Sequence, residues 1–496
     1  GACWRPSKRG YPKIGNLLLG WVFVPFYTRS MVYTMPEFLE RRYNPQSRTI
    51  LSVISLVSYV LTKVAVTVYA GGLVFQQVFG IKELWGIDFF WIAAIGLVVL
   101  TALYTIFGGM KSVLYTSVLQ TPILLLGSLI ILVLGFKELG GWDEMMRVCG
   151  AVTVNDYGDT MTNLIRSNDD ANFPWLGALI GSAIIGFWYW CTDQFIVQRV
   201  LSGKNEMEAR RDTIFGAYLK LLPVFLFLIP GMIAFALHQK YIGAGGEGFL
   251  PMLENGTANA DAAFPTLVAK LLPAGVKGLV VCGILAALMS SLASLFNSSA
   301  MLFTIDFYKR FRPQTSEKKL VGIGQVATVV IVILGILWIP IMRSVGDVLY
   351  TYLQDVQSVL APGIAAAFLL GICWKRTSAQ GGMWGLISGM VIGLTRLGAK
   401  VYYSNAGEVA DSTFKYLFYD MNWLFFCGWM FLFCIIVVIV VSLATEAPTA
   451  EKIQGLVFGT ATKEQKASTR ASWNHWDIIH TVIILAITGA FYWYFW

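Results

Sequence analysis

The sequence predicts an all-α integral membrane protein, and three observations carry that prediction. The 496 residues are 56% hydrophobic and only 13% charged, with a mean hydropathy of +0.64. A soluble domain carries about 25% charged residues. The apolar residues gather into about twelve runs of spanning length or close to it. The loops between the runs alternate between basic and acidic or neutral, as successive passes through a bilayer require.

Residues 1–13 are polar and basic, with Arg5, Lys8, Arg9 and Lys13, and fit neither a signal peptide nor a span. Residues 14–496 read as one polytopic domain. Its segments run 14–28, 51–79, 89–107, 113–136, 174–198, 213–237, 278–305, 320–342, 350–373, 381–398, 421–444 and 477–496. One set of loops holds Arg41, Arg42 and Arg48, then Arg210 and Arg211, then Lys309, Arg310, Arg312, Lys318 and Lys319, then Lys375 and Arg376. These are cytoplasmic by the positive-inside rule. The other set is external, and its longest member carries Glu138, Asp143, Glu144, Asp156 and Asp159. That orientation leaves Trp496 outside. It predicts a multi-pass protein of the plasma membrane, or of the inner membrane in a bacterium. The net charge of +8 is spread over the cytoplasmic loops, so no nucleic-acid partner is expected.

Catalytic chemistry is not expected either. The seven cysteines show no CxxC spacing. His238, His475 and His480 read as loop or interface residues. Asn255-Gly256-Thr257 is a glycosylation sequon only in a eukaryotic secretory setting.

Polar groups at membrane depth mark candidate sites. The run 278–305 has no charge but is rich in serine. On a helix, Ala287, Ser290, Ser291, Ser294 and Ser298 share an arc of roughly 100°. Hydroxyls and carbonyls suit a hard monovalent cation such as sodium. Close helix packing with hydroxyls bonded to their own backbone explains the same face equally well. Trp188-Tyr189-Trp190 offers aromatic faces for a sugar ring, or an interfacial belt. Lys220 lies seven residues inside its segment, placed to bind hydroxyls or to snorkel outward. Tyr350, Gln354 and Gln357 share an arc of about 60°, and an amide both donates to and accepts from a polyol. Ala361-Pro362-Gly363 should break or kink that helix.

At these clusters the chain resembles the sodium/glucose cotransporter family within the solute:sodium symporters, and within it the sugar-carrying branch. The matching runs include Tyr33-Thr34-Met35-Pro36-Glu37-Phe38-Leu39, Trp188 through Arg199, Tyr218-Leu219-Lys220-Leu221, Met289-Ser290-Ser291-Leu292-Ala293-Ser294, Phe303-Thr304-Ile305-Asp306 and Phe368-Leu369-Leu370-Gly371. The resemblance extends from about Leu17 to Trp496. It implies a LeuT-type core of inverted repeats with peripheral helices, sodium as the co-transported ion, and a small sugar as cargo. It implies sodium ligation by the Ala287 carbonyl, Ser290 and Ser291. Tyr189 becomes an inner gate, Trp190, Lys220 and Gln354 sugar contacts, and Tyr350 a pocket wall.

Three departures from the family pattern qualify these expectations. The family's first helices, which complete both sites, are expected to be missing from this chain, so this chain by itself should not accumulate sugar. Ser117 and Ala293 stand where a second sodium site needs an aspartate and a hydroxyl, which implies one sodium per sugar. Gly186 stands where relatives carry Asn or Thr near the sugar. The family resemblance leaves a cyclitol, a sialic acid or an amino acid as alternative cargo, and a sugar-sensing channel as an alternative activity.

Overall fold

The computed structural model describes residues 11–494, apart from 31, 33, 155, 157, 164, 254–255, 346–347 and 407–409. Helix starts follow from capping chemistry in the loops. The Thr34 hydroxyl accepts from the Glu37 amide at 3.3 Å, with Pro36 in the first turn. Asn44 accepts from the Ser47 amide at 2.8 Å, with Pro45 opening the next helix. Asn205, Ser378 and Asn422 cap three later helices in the same way.

The helices are α1 (consecutive stretches Tyr11–Leu18, Leu19–Phe23 and Val24–Ser30), α2 (Met35–Arg42), α3 (Pro45–Phe79), α4 (Phe89–Leu139) and α5 (Trp175–Thr192). After these come α6 (Gln194–Leu201), α7 (Glu206–Gly243), α8 (Ala263–Leu271), α9 (Ala274–Phe311) and α10 (Glu317–Val345). The last are α11 (Leu349–Cys373), α12 (Ala379–Asn405), α13 (Trp423–Ala444) and α14 (His475–Tyr494). Among the described residues, nine helices are long and apolar enough to cross a membrane. The expected segments 14–28, 89–107 and 381–398 fall on α1, the first half of α4 and α12.

Helix α11 is the structural centre: 83% of its most apolar window is buried, against 17% for α14. Glycines let it sit close to α12. A Cβ on Gly389 would lie 2.6 Å from the Gly363 Cα, so these backbones approach as only glycines allow. One apolar core joins α1, α2, α5 and α11. A second joins α3, α9, α10 and α11. A third is set apart, formed by the later part of α4, the end of α7 and α8.

Several expectations are corrected. Helix α11 runs through Pro362 without a break. Its burial against α12 and α13 holds the helix where a lone proline would weaken it. Helix α4 is continuous over 51 residues where two segments were expected. Gly108 and Gly109 in that gap each lower helix propensity by about 1 kcal/mol, too little to end a long apolar helix. His238 is no loop residue: it is buried in α7, and its Nδ1 accepts from the Leu250 amide at 3.1 Å. Asn255 of the sequon lies outside the described residues.

Candidate substrate and ion site

Helices α5 and α6 are two halves of a broken helix. Residues Trp188–Thr192 end α5 in a π-helical turn, and Asp193 then turns extended at φ −81°, ψ 123°. Its carboxylate restarts the helix by accepting from the Phe195 amide at 3.1 Å. Transporters hold cargo at such breaks, where backbone groups leave the helical ladder.

The break is pinned by a buried charge pair. Lys63, in a second π-helical turn at Tyr59–Val64, donates to Asp193 Oδ2. Tyr59 donates to Asp193 Oδ1 at 3.0 Å. Around the Lys63 ammonium stand the rings of Phe195, Tyr59 and Tyr189, with centroids at 4.4, 4.6 and 5.4 Å. Sequence reasoning missed this knot. Its signal was a lone lysine in the apolar run 51–79, a costly group that needs a partner.

Most predicted substrate residues collect on one side of the break. Tyr189 is half-buried, its ring edge-on to Trp190 with centroids 5.1 Å apart. Trp190 is buried, and Lys220 places its ammonium 4.8 Å from the indole centroid. Lys220 sits at a second helix break. Helix α7 opens at Lys220 and Leu221 because Pro223 lacks an amide hydrogen and crowds the carbonyl of residue 219. The lysine is exposed rather than enclosed in the segment. Tyr350 packs on the same apolar core as Tyr189 and Trp190. Gln354 is half-buried on α11, with no side-chain hydrogen bond recorded among the described residues.

The start of α11 is held from outside. Asp261, in the loop before α8, accepts from the Leu349 amide at 3.1 Å. Burial pushes its carboxyl up to about 6, and the Leu349 amide opposes that rise.

The serine face of α9 divides in two. Ser294 donates to the Ser290 carbonyl at 3.0 Å and Ser298 to the Ser294 carbonyl at 2.8 Å. Both also receive donors from α6: Arg199 donates to the Ser294 hydroxyl, and Gln198 to the Ser298 hydroxyl at 2.5 Å. These two serines are occupied by packing chemistry. Ala287 is half-buried, Ser290 buried and Ser291 exposed. No hydrogen bond of the Ser291 hydroxyl is recorded among the described residues. Ala293 is buried, and the side chain of Ser117 lies outside the described set.

Beyond the serines, α9 is tied to α2 and to the start of α3. Asp306 accepts from Thr34 at 2.9 Å and from Arg48 at 2.6 Å, and Arg48 also reaches Glu40 at 2.6 Å. A second buried cluster lies on α11 and α12, where Lys400 donates to Asp355 and Arg396 stands 3.8 Å from it. Arg396 is otherwise spent on the carbonyls of Leu417 and Met421.

The site therefore joins two regions through one short stretch. The segment from Trp188 to Leu201 carries the aromatic wall at one end and the ties to the serine helix at the other. Comparison with known proteins identifies the family. Residues 13–389 match the model of the sodium:solute symporter family. The chain is 36% identical to the sodium/mannose cotransporter SLC5A10 of Bos taurus over 97% of this chain and 83% of that one. It is 38% identical to sodium/glucose cotransporter 1 of Ovis aries and 36% identical to sodium/myo-inositol cotransporter 2 of Homo sapiens, spanning 66% of the length of each. In fold it matches a Na+-coupled sialic acid symporter solved in a substrate-bound, outward-open state, with a TM-score of 0.68 over 89% of this chain and 84% of that one, at 20% identity. On this evidence the chain belongs to the sodium:solute symporter family and is a sodium-coupled solute symporter with a LeuT-like fold.

Proposed function

We propose that the protein carries a sugar or a sugar-like polyol, driven by one sodium ion per molecule, by alternating access. The observation that supports this reading most is the broken helix at Asp193. It lets one short stretch touch both the aromatic wall and the serine helix. In this reading Ala287 (by its carbonyl), Ser290 and Ser291 ligate sodium on α9. Trp190, Lys220 and Gln354 contact the cargo, Tyr350 lines the pocket, and Tyr189 closes it from inside.

The chemistry of each group fits its role. An indole face stacks on the C–H face of a pyranose, and an ammonium donates to hydroxyls. The Gln354 amide donates and accepts in one plane, as paired hydroxyls need. Sodium entering beside Ser291 supplies positive charge to a face on which Ser294 and Ser298 are already bonded. Filling it favours one arrangement of α9 against α6, and that preference reaches Tyr189 through the break.

One sodium ion crossing 100 mV supplies about 2.3 kcal/mol, and a tenfold gradient about 1.4 kcal/mol. A single ion therefore sustains at most roughly a 500-fold cargo gradient. The relatives named for mannose, glucose and myo-inositol support a polyol cargo. Uptake by the full-length protein, measured with labelled glucose against unlabelled mannose, myo-inositol, sialic acid and an amino acid, tests the assignment. Sugars and inositol should compete, and sialic acid and the amino acid should not. Competition by the last two alone overturns the cargo, and a flux ratio of two sodium ions per sugar overturns the stoichiometry.

A further inference from the structure

A groove of about 670 Å³ lies outside the transport site, between α3, the end of α9 and α10. Leu56, Phe303, Val326 and Val330 line it, and Lys319 stands at its mouth. From Lys319 to Ile331 the lining follows one face of α10 for about 18 Å. That length reaches from the cytoplasmic interface past the middle of a hydrocarbon core about 30 Å thick. The floor is open at Gly322, where an added Cβ would meet no atom within 4 Å.

The mouth is strongly basic. Lys309, Arg310, Arg312, Lys318 and Lys319 lie within eleven residues, against the single acid Glu317. Arg310 is partly committed, since it donates to the Pro45 carbonyl and the Thr49 hydroxyl. Lys309, Arg312, Lys318 and Lys319 are exposed. An apolar channel as long as a bilayer leaflet is deep, with cations at its interfacial end, matches one kind of molecule.

We infer that this groove binds an anionic phospholipid of the cytoplasmic leaflet, its acyl chain along α10 and its phosphate at Lys319. Basic pockets between spans on that side attract acidic headgroups, and each lysine near them contributes about fivefold in affinity. The site is independent of the sodium and cargo residues.

The test is a competition between dioleoyl-phosphatidylglycerol and dioleoyl-phosphatidylcholine on the purified full-length protein, read by native mass spectrometry. The acyl chains are identical, so the comparison isolates the headgroup. Wild type should prefer phosphatidylglycerol by about fivefold or more. Lys319→Glu should remove that preference. Gly322→Phe, which places a ring in open space, should weaken both lipids. Equal retention of the two lipids by wild type overturns the proposal without any variant. Wild-type retention in Gly322→Phe, or an undiminished preference in Lys319→Glu, overturns it as well.

Discussion

The Asp193 knot and Ser291 are both polar groups in apolar helices, and they are placed in opposite ways. Asp193 spends its two carboxylate oxygens on Lys63, Tyr59 and the Phe195 amide, and aromatic rings close over the ammonium. The Ser291 hydroxyl stands exposed on α9, while Ser294 and Ser298, one turn and two turns further on, are bonded to α6 and to their own helix. A polar group whose bonds are all made inside the protein fixes geometry. One that is kept accessible is available to something that arrives and leaves. The same residue type on the same helix face can therefore be tied into the frame or left exposed, and its neighbours decide which.

The comparison breaks most visibly at the knot. Asp193→Ala strands the buried Lys63 ammonium and should cost about 3–5 kcal/mol of stability, measured by denaturation in detergent. A much smaller loss would mean that the pair is hydrated and belongs with the available groups. Next comes Ser294→Ala, which removes the acceptor of a half-buried guanidinium whose Nε already lacks a hydrogen-bond partner among the described residues. Stability should fall by about 1–3 kcal/mol while the sodium concentration for half-maximal uptake stays put. Ser291→Ala should do the reverse. Thermal stability is unchanged, and the sodium requirement rises by about tenfold, the value of one lost bond to a charged group. If Ser291→Ala left the sodium dependence untouched, the division of the serine face would be wrong.

A pH dependence tests the external support of α11. The fold raises the Asp261 carboxyl to about 6, so ionising it costs stability. Protonation relieves that cost. Stability should therefore rise as pH falls from above 6 toward about 4, where the unfolded chain begins to protonate too. Asp261→Asn keeps an oxygen for the Leu349 amide and should flatten this slope relative to wild type, read as the thermal midpoint across that pH range.

Much of the frame was legible because it rests on bulk properties. Apolar runs mark helices, and charged and capping residues mark the loops between them. Among candidate site residues, Tyr189, Trp190 and Lys220 were visible as polar or aromatic groups in apolar runs, and the structure brings them together. What failed was local and depended on partners far away in the chain. Pro362 signalled a break, but burial among α12 and α13 overrides it. Lys63 and Asp193 lie 130 residues apart, so neither predicts the other. Ser290, Ser291, Ser294 and Ser298 form one stripe in sequence, and only Gln198 and Arg199 tell them apart.

The π-helical turns at Tyr59–Val64 and Trp188–Thr192 have a mechanical consequence. Each stores one residue more than the regular winding needs. Returning that residue to ordinary pitch would rotate everything on one side by about 100° and slide it by about 1.5 Å, with most of the ladder intact. Tyr189 sits inside one such reserve of slack, and Lys63, which faces it, sits inside the other. The protein thus has a way to turn Tyr189 and Lys63 without bending a helix, by a single shifted register.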